Sequence, residues 1–336
     1  MAKTVIGSIL HGAYGDLYEQ AICLKHYVDA HPDVELKLFA ATQVRLEAFR
    51  VLDLSFASSF ELWTEIERHP EIDRFFQFQV LDRELNLGVI SRLSPPLLAK
   101  IDREKNNLPW IYLRDNKLIP TPPRLQLAPS PSGLAELDNV IAGNAIPPAI
   151  WSKPTVNFLW RYRGAGPGAI RNFGQKPEEK LREDCSLVFQ RLVESHDIHL
   201  LVCGMNVVTD EKNRERTDNK YPSFGLNLPA ANVTYMKGLS WPLELEIASR
   251  ATVCCGHASG FTEGLWLKRG RDMVLMDPPP HYLAKVAYYR MPLFNLGNPF
   301  NLVDAFMRHS PDTYYRRIAA MIKESSDQVR RRPLRG

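Results

Sequence analysis

Along the 336-residue chain the spacing of hydrophobic and polar positions switches repeatedly between two periods, which predicts alternating strands and helices. Thr4–Leu10 is one continuous apolar run rich in β-branched residues, the pattern of a strand buried on both faces. Over residues 16–30, Leu17, Ala21, Leu24 and Val28 recur on one helical stripe, and His31-Pro32 ends it. Residues 34–39 alternate as a second strand. Beyond them, residues 44–52 and 60–67 read as helices, Ser94-Pro95-Pro96 as a break and residues 110–113 as a strand. The rhythm restarts with a strand at 155–160, a helix at 177–196 and a strand at 198–203. A strand at 232–236, a helix at 242–249, a strand at 252–255, a helix at 260–268 and a strand at 273–276 follow. Residues 301–309 and 311–329 are predicted terminal helices. Strands separated by helices of these lengths imply parallel sheets.

Between the two series, prolines at 120, 122, 123, 129, 131, 147, 148 and 154 crowd a stretch with a single short helical pattern at 134–142. Proline is disfavoured inside helices and central strands, so this stretch reads as an interdomain crossing. The expected organisation is residues 1–150, residues 151–310, and a C-terminal helix and basic tail at 311–336. A mass of 38.3 kDa suits two domains of ordinary size.

Composition narrows the function classes. A net charge of +4 is mildly basic, suited to an anionic small molecule and short of a nucleic-acid signature. No apolar run approaches the roughly 20 residues that span a bilayer, and the short N-terminal run reads as a buried strand rather than a signal peptide. The five cysteines, at 23, 185, 203, 254 and 255, lie in apolar or helical runs without zinc-ligand spacing. They read as buried reduced thiols of a cytosolic protein.

Two glycine-rich turns carry the chemistry. The first, His11-Gly12-Ala13-Tyr14-Gly15-Asp16, leaves the first strand and opens a helix; the second, Gly256-His257-Ala258-Ser259-Gly260-Phe261-Thr262-Glu263, does the same in the second half. Such turns offer backbone N–H groups and a positive helix end to an anion. The first lacks Gly-x-Gly-x-x-Gly spacing, and the second strand runs into Ala40 and Ala41 rather than an acidic residue, which argues against a dinucleotide site. Asp16 has two readings, an N-cap of the helix or a base that takes a proton from a hydroxyl. His11 is a positioning or catalytic candidate beside it. After the 155–160 strand, Arg161 and Arg163 lie in a glycine-rich loop, where guanidinium forks match phosphate oxygens. Residues 205–230 read as a polar loop, and Arg330–Arg332 with Arg335 as a basic tail.

Gly15-Asp16 at the helix start, together with Gly204, the Leu239-Ser240 to Glu244 stretch and Ser259-Gly260, resembles the bacterial heptosyltransferase-like glycosyltransferases. The resemblance implies an α/β, GT-B-like fold: two Rossmann-like, doubly wound domains facing across a cleft. It implies that Asp16 is the catalytic base, with Gly12, Tyr14 and Gly15 on the acceptor side. It implies donor contacts from Arg161, Arg163, Gly204, His257, Ser259, Gly260, Phe261, Thr262 and Glu263. The family's Asp-Ser/Thr-Gly triplet is replaced here by Ala258-Ser259-Gly260, and Glu263 stands where a His is common.

The expected function is transfer of a sugar from a nucleotide-sugar donor to a hydroxyl of a surface glycan or lipid-linked acceptor. The alternatives are a nucleotide-sugar epimerase of the same architecture and a non-catalytic nucleotide-sugar-binding protein. No Asp-x-Asp occurs, so neither a metal nor any other cofactor is expected. The expected partners are the nucleotide sugar and a glycan or glycolipid acceptor, without nucleic acid. The expected location is the cytoplasm, with weak peripheral contact to acidic membrane through the C-terminal arginines.

Overall fold

The structure, a computed structural model, describes residues 3–12, 14–78, 94–100, 109, 112, 115–116, 127–143, 146, 148–159, 178–203, 208–209, 215–216, 228, 230–236, 240–257, 264–265, 268, 273–276 and 310–331. Two compact units emerge: Met1–Glu136 with Leu267–Gly270, and Leu137–Trp266 with Arg271–Gly336.

The first unit holds β1 (Thr4–Leu10), α1 (Tyr14–Ala30), β2 (Val34–Ala40), α2 (Gln43–Phe49), β3 (Ser59–Leu62) and β4 (Arg74–Phe75). Its sheet is parallel throughout, in the order β3-β2-β1-β4. The long apolar run of β1 is central, as a strand buried on both faces must be. Thr42 caps α2 by accepting from the Arg45 N–H at 3.3 Å. A short helix, α3 (Pro95–Ala99), starts on the two prolines read from sequence as a break, because the first helical turn has no use for their missing N–H groups.

Two local readings are corrected here. Residues 60–67 are not one helix: Ser59–Leu62 pairs with β2, and only Trp63–Arg68 winds, as a 3-10 helix. Parallel pairing to a buried neighbour outweighs the local period. Of the predicted 110–113 strand only Tyr112 is among the described residues, and it is not in a strand. Pro109, Tyr112 and Asp115 are helical, and the Asn116 N–H donates to the Tyr112 carbonyl at 3.1 Å. The Tyr112 ring packs edge-on against Phe76, Phe78 and His26, so packing explains its apolar character.

The division between units falls inside α4 (Pro131–Gly143). Ser130 accepts from the Gly133 N–H at 3.1 Å at the start of this helix, and the Ser130 N–H donates to the Val51 carbonyl at 2.7 Å.

The second unit contains β5 (Thr155–Leu159), α5 (Glu178–Ser195), β6 (His199–Cys203), β7 (Val208–Thr209), β8 (Glu215–Arg216), β9 (Val233–Tyr235), α6 (Trp241–Arg250), β10 (Val253–His257), β11 (Met273–Met276) and α7 (Pro311–Arg331). The main sheet runs β11-β10-β5-β6-β9 with every pair parallel, the Rossmann order. Within the polar stretch 205–230, β7 and β8 pair antiparallel, a ladder its mixed charges hide. Alternate strand residues Val156, Phe158, Leu200, Val202, Val253 and Cys255 share one core with Leu181, Cys185, Val188, Phe189 and Leu192 of α5. Tyr314, Ile318 and Ile322 of α7 complete it at helical spacing. Thr155 and Thr252 bond reciprocally, each N–H to the other's hydroxyl at 3.1 Å, where β5 and β10 begin.

All five cysteines are buried thiols, and burial pushes Cys23, Cys203 and Cys255 well above the ordinary thiol range.

Gly256 marks a close approach of β10 to β5. A Cβ there would stand 2.6 Å from the Leu159 carbonyl oxygen and 2.7 Å from the Leu159 Cβ. Gly256→Ala is expected to cost about 1–3 kcal/mol, as overpacking does. Thermal unfolding of the variant checks this, and a Tm equal to that of the parent would overturn it.

Candidate functional site

In open parallel sheets, ligands bind at the carboxyl ends of the strands, where neighbouring strands connect in opposite directions. The first unit has this switch point between β1 and β4, and the second has it between β5 and β10. Both glycine-rich turns singled out in the sequence begin at such points.

In the first unit, β1 ends at Leu10 and the chain turns through His11 and Gly12 into α1. Gly12 has φ +98°, a conformation that suits glycine. The Asp16 carboxylate lies against it: a Cβ on Gly12 would come within 2.9 Å of Asp16 Oδ2. Asp16 is the third residue of α1, which begins at Tyr14, and so it is not the N-cap. Its charge still faces the positive helix end. It is half-buried, as is Tyr14, whose ring stacks on Phe49 with centroids 6.4 Å apart. Gly15 is buried.

His11 is only 7% exposed. Its Nε2 lies 3.2 Å from the Phe78 carbonyl, which only accepts, so Nε2 carries the proton and donates. Burial holds the imidazole below its ordinary range. The Phe78 bond and the Asp16 carboxylate oppose that shift, while Arg45, in the first turn of α2, adds to it. This committed, buried ring suits positioning rather than proton transfer to a substrate.

A folded-state pKa below the unfolded one means that the unfolded chain binds the extra proton first. His11 therefore contributes stability above about pH 6.5 that is lost as the pH falls toward its folded pKa. His11→Gln, which retains a donor but does not titrate, is expected to lose less Tm than the parent between pH 7 and pH 5. Parallel melting curves check this, and identical losses would refute it.

Three further side chains at this exit are not evident from sequence. Gln77 accepts from the Ile9 N–H at 2.9 Å and donates to the Ile9 carbonyl at 2.8 Å. Gln20, one turn beyond Asp16 on α1, donates to the His11 carbonyl at 2.7 Å. Both glutamines are buried, and Arg45 is half-buried. The available signal for Gln77 is a lone amide within the aromatic run Phe75-Phe76-Gln77-Phe78.

In the second unit, Leu159 pairs with Gly256, and His257 is the last residue of β10, opposite Met276. The stretches carrying Arg161 and Arg163, and Ser259 to Glu263, thus leave from adjoining strand ends. Arg161, Arg163, Gly204, Ser259, Gly260, Phe261, Thr262 and Glu263 themselves lie outside the described residues. Gly264, Leu265 and Lys268 are helical and buried, within the predicted 260–268 helix. The predicted 301–309 helix, Arg332 and Arg335 are also outside the described residues.

Among the described residues, no group of three His, Cys, Asp or Glu side chains is arranged to hold a metal ion. No described helix is long and apolar enough to cross a membrane.

No protein-family model matches the chain. No curated protein matches it in sequence. Solved structures do resemble it. A glycosyl transferase family 9 protein from Veillonella parvula is 11% identical with a TM-score of 0.58, the match covering 96% of this chain and 98% of that one. The ADP-heptose lps heptosyltransferase II of E. coli is 12% identical with a TM-score of 0.58, covering 96% and 99%. At such identity the likeness is one of fold: the α/β, GT-B-like class built from two Rossmann-like units.

Proposed function

We propose that the chain is a glycosyltransferase that moves a sugar from a nucleotide-sugar donor to a hydroxyl of a glycan or lipid-linked acceptor. The observation that carries this reading is topological. In each unit, the turn bearing the candidate chemistry leaves the sheet at its switch point, where α/β folds hold ligands. The resemblance in fold to a glycosyl transferase family 9 protein and a heptosyltransferase supports it.

The first unit takes the acceptor, beside Gly12, Tyr14 and Gly15. The Asp16 carboxylate accepts the proton of the attacking hydroxyl while the oxygen bonds to the sugar's anomeric carbon. The bond from that carbon to the nucleotide's terminal phosphate oxygen breaks, and negative charge grows on the diphosphate. The second unit takes the donor. Arg161, Arg163 and the backbone N–H groups at Ser259 to Thr262 stabilise that charge, as preorganised donors do, without a metal ion. Gly204, His257, Phe261 and Glu263 complete the donor side, with Glu263 accepting from a donor hydroxyl. The reaction takes place in the cytoplasm, and Arg330–Arg332 with Arg335 bring the protein to acidic membrane.

The test is incubation of the purified protein with a panel of nucleotide sugars in the presence of chelator, with and without glycan acceptors. Transfer or slow donor hydrolysis is the expected result. An isomerised sugar would assign an epimerase, and binding without turnover a silent binding protein; either would overturn the proposal.

A further inference from the structure

The exit of β1 is fixed by more bonds than a strand end requires. After the Phe76 N–H has bonded to the Gly7 carbonyl at 2.9 Å, the Gln77 side-chain amide continues the pairing, bonding both the N–H and the carbonyl of Ile9. Two residues on, Gln20 reaches back from α1 to the His11 carbonyl, and His11 itself bonds to Phe78. Gln20 is fully buried, and Gln77 and His11 nearly so, so water does not compete for these bonds. The turn they hold contains Gly12, against which the Asp16 carboxylate lies. Gln20 and Asp16 lie four residues apart, on the same face of α1. The helix that carries the carboxylate is therefore tied back to the turn beneath it by Gln20, in its second turn.

We infer that Gln20 and Gln77 are positioning residues for the Asp16 carboxylate: buried amides that hold the His11–Gly12 turn so that the carboxylate meets the acceptor hydroxyl in a reactive geometry. The inference rests on the reading of Asp16 as the general base. Neither amide touches a substrate. Both act through the turn, where small misplacements of reacting groups are costly in rate.

Gln20→Met and Gln77→Met keep side-chain length and remove the bonds. Each is compared with the parent and with Thr252→Val, which loosens the clamp where β5 and β10 begin, in the other unit. Two quantities are read: the ring-nitrogen NMR titration of His11, and kcat and KM for the nucleotide sugar that the parent turns over fastest. In both glutamine variants the His11 midpoint is expected to rise toward the ordinary imidazole value as water enters the turn. Turnover should fall at least tenfold, with the donor KM within about twofold, while Thr252→Val leaves both readings at parental values. Two variants guard against one of them failing to fold. An unmoved His11 midpoint, with the parent active, would overturn the inference alone. A shifted midpoint with parental kcat would overturn it as well, since the turn would then not govern the carboxylate. A parent inactive with every nucleotide sugar would overturn the glycosyltransferase reading, and the inference with it.

Discussion

Asp16→Asn is expected to reduce sugar transfer by about 10²–10⁴-fold, the usual worth of a general base. The substitution preserves size and hydrogen-bonding reach and removes the negative charge and with it the ability to take a proton. Because Asp16 stands third in α1, the structural cost is the loss of a negative charge near a helix N-terminus, about 0.3–1 kcal/mol. The melting temperature should therefore fall by no more than a few degrees. A second signature is internal to the protein. The Asp16 charge favours protonation of His11, so its removal should move the His11 titration further down. Turnover at saturating donor and acceptor, with the Tm as control, is the measurement. An Asn variant that keeps parental turnover while the His11 midpoint falls would show that the carboxylate is present but idle.

The second large effect is expected on the donor side. Arg161→Ala and Arg163→Ala should each reduce kcat/KM by roughly 10- to 100-fold, because hydrogen bonds to charged groups contribute about 1.5–3 kcal/mol. If both guanidinium groups clamp one diphosphate, the double variant loses more than either single one. Its effect also differs from the product of the two, since neighbours that share a partner are not additive. The loss should be largest in kcat, where the leaving group carries most charge. Steady-state kinetics on the two single variants and the double variant check this. Parental kinetics in both single variants would remove the arginines from the mechanism.

Much of the fold was legible because the decisive patterns are local. The uninterrupted run from Thr4 to Leu10, the stripe of α1 and the spacing of Leu181, Cys185, Val188 and Leu192 each state a buried face within a few residues. The helix read at 60–67 and the strand read at Tyr112 failed for the opposite reason. Phe60 pairs with Leu38, and Tyr112 packs on Phe76 and Phe78, and no local period records such partners. The site divides along the same line. Gly12 and Asp16 announce a turn and a carboxylate four residues apart. His11 is visible as a residue, but its burial and its bond to Phe78 are not. Gln20 reads as an ordinary polar position until α1 packs back onto the His11 carbonyl, and Gln77 until the strand order brings it to β1.

The bonds that frame the exit of β1 also bear on the order in which the molecule is made. His11 to Phe78 and Gln77 to Ile9 span 67 and 68 residues of chain. During synthesis, α1 can wind as soon as its own residues are free, since helix formation needs only near neighbours. The turn that carries Asp16 has to wait until the segment ending at Phe78 has docked, because distant pairings are slow to close. A nascent chain that has emerged only to about residue 60 thus has Asp16 but no fixed place for its carboxylate, which comes only with the fourth strand.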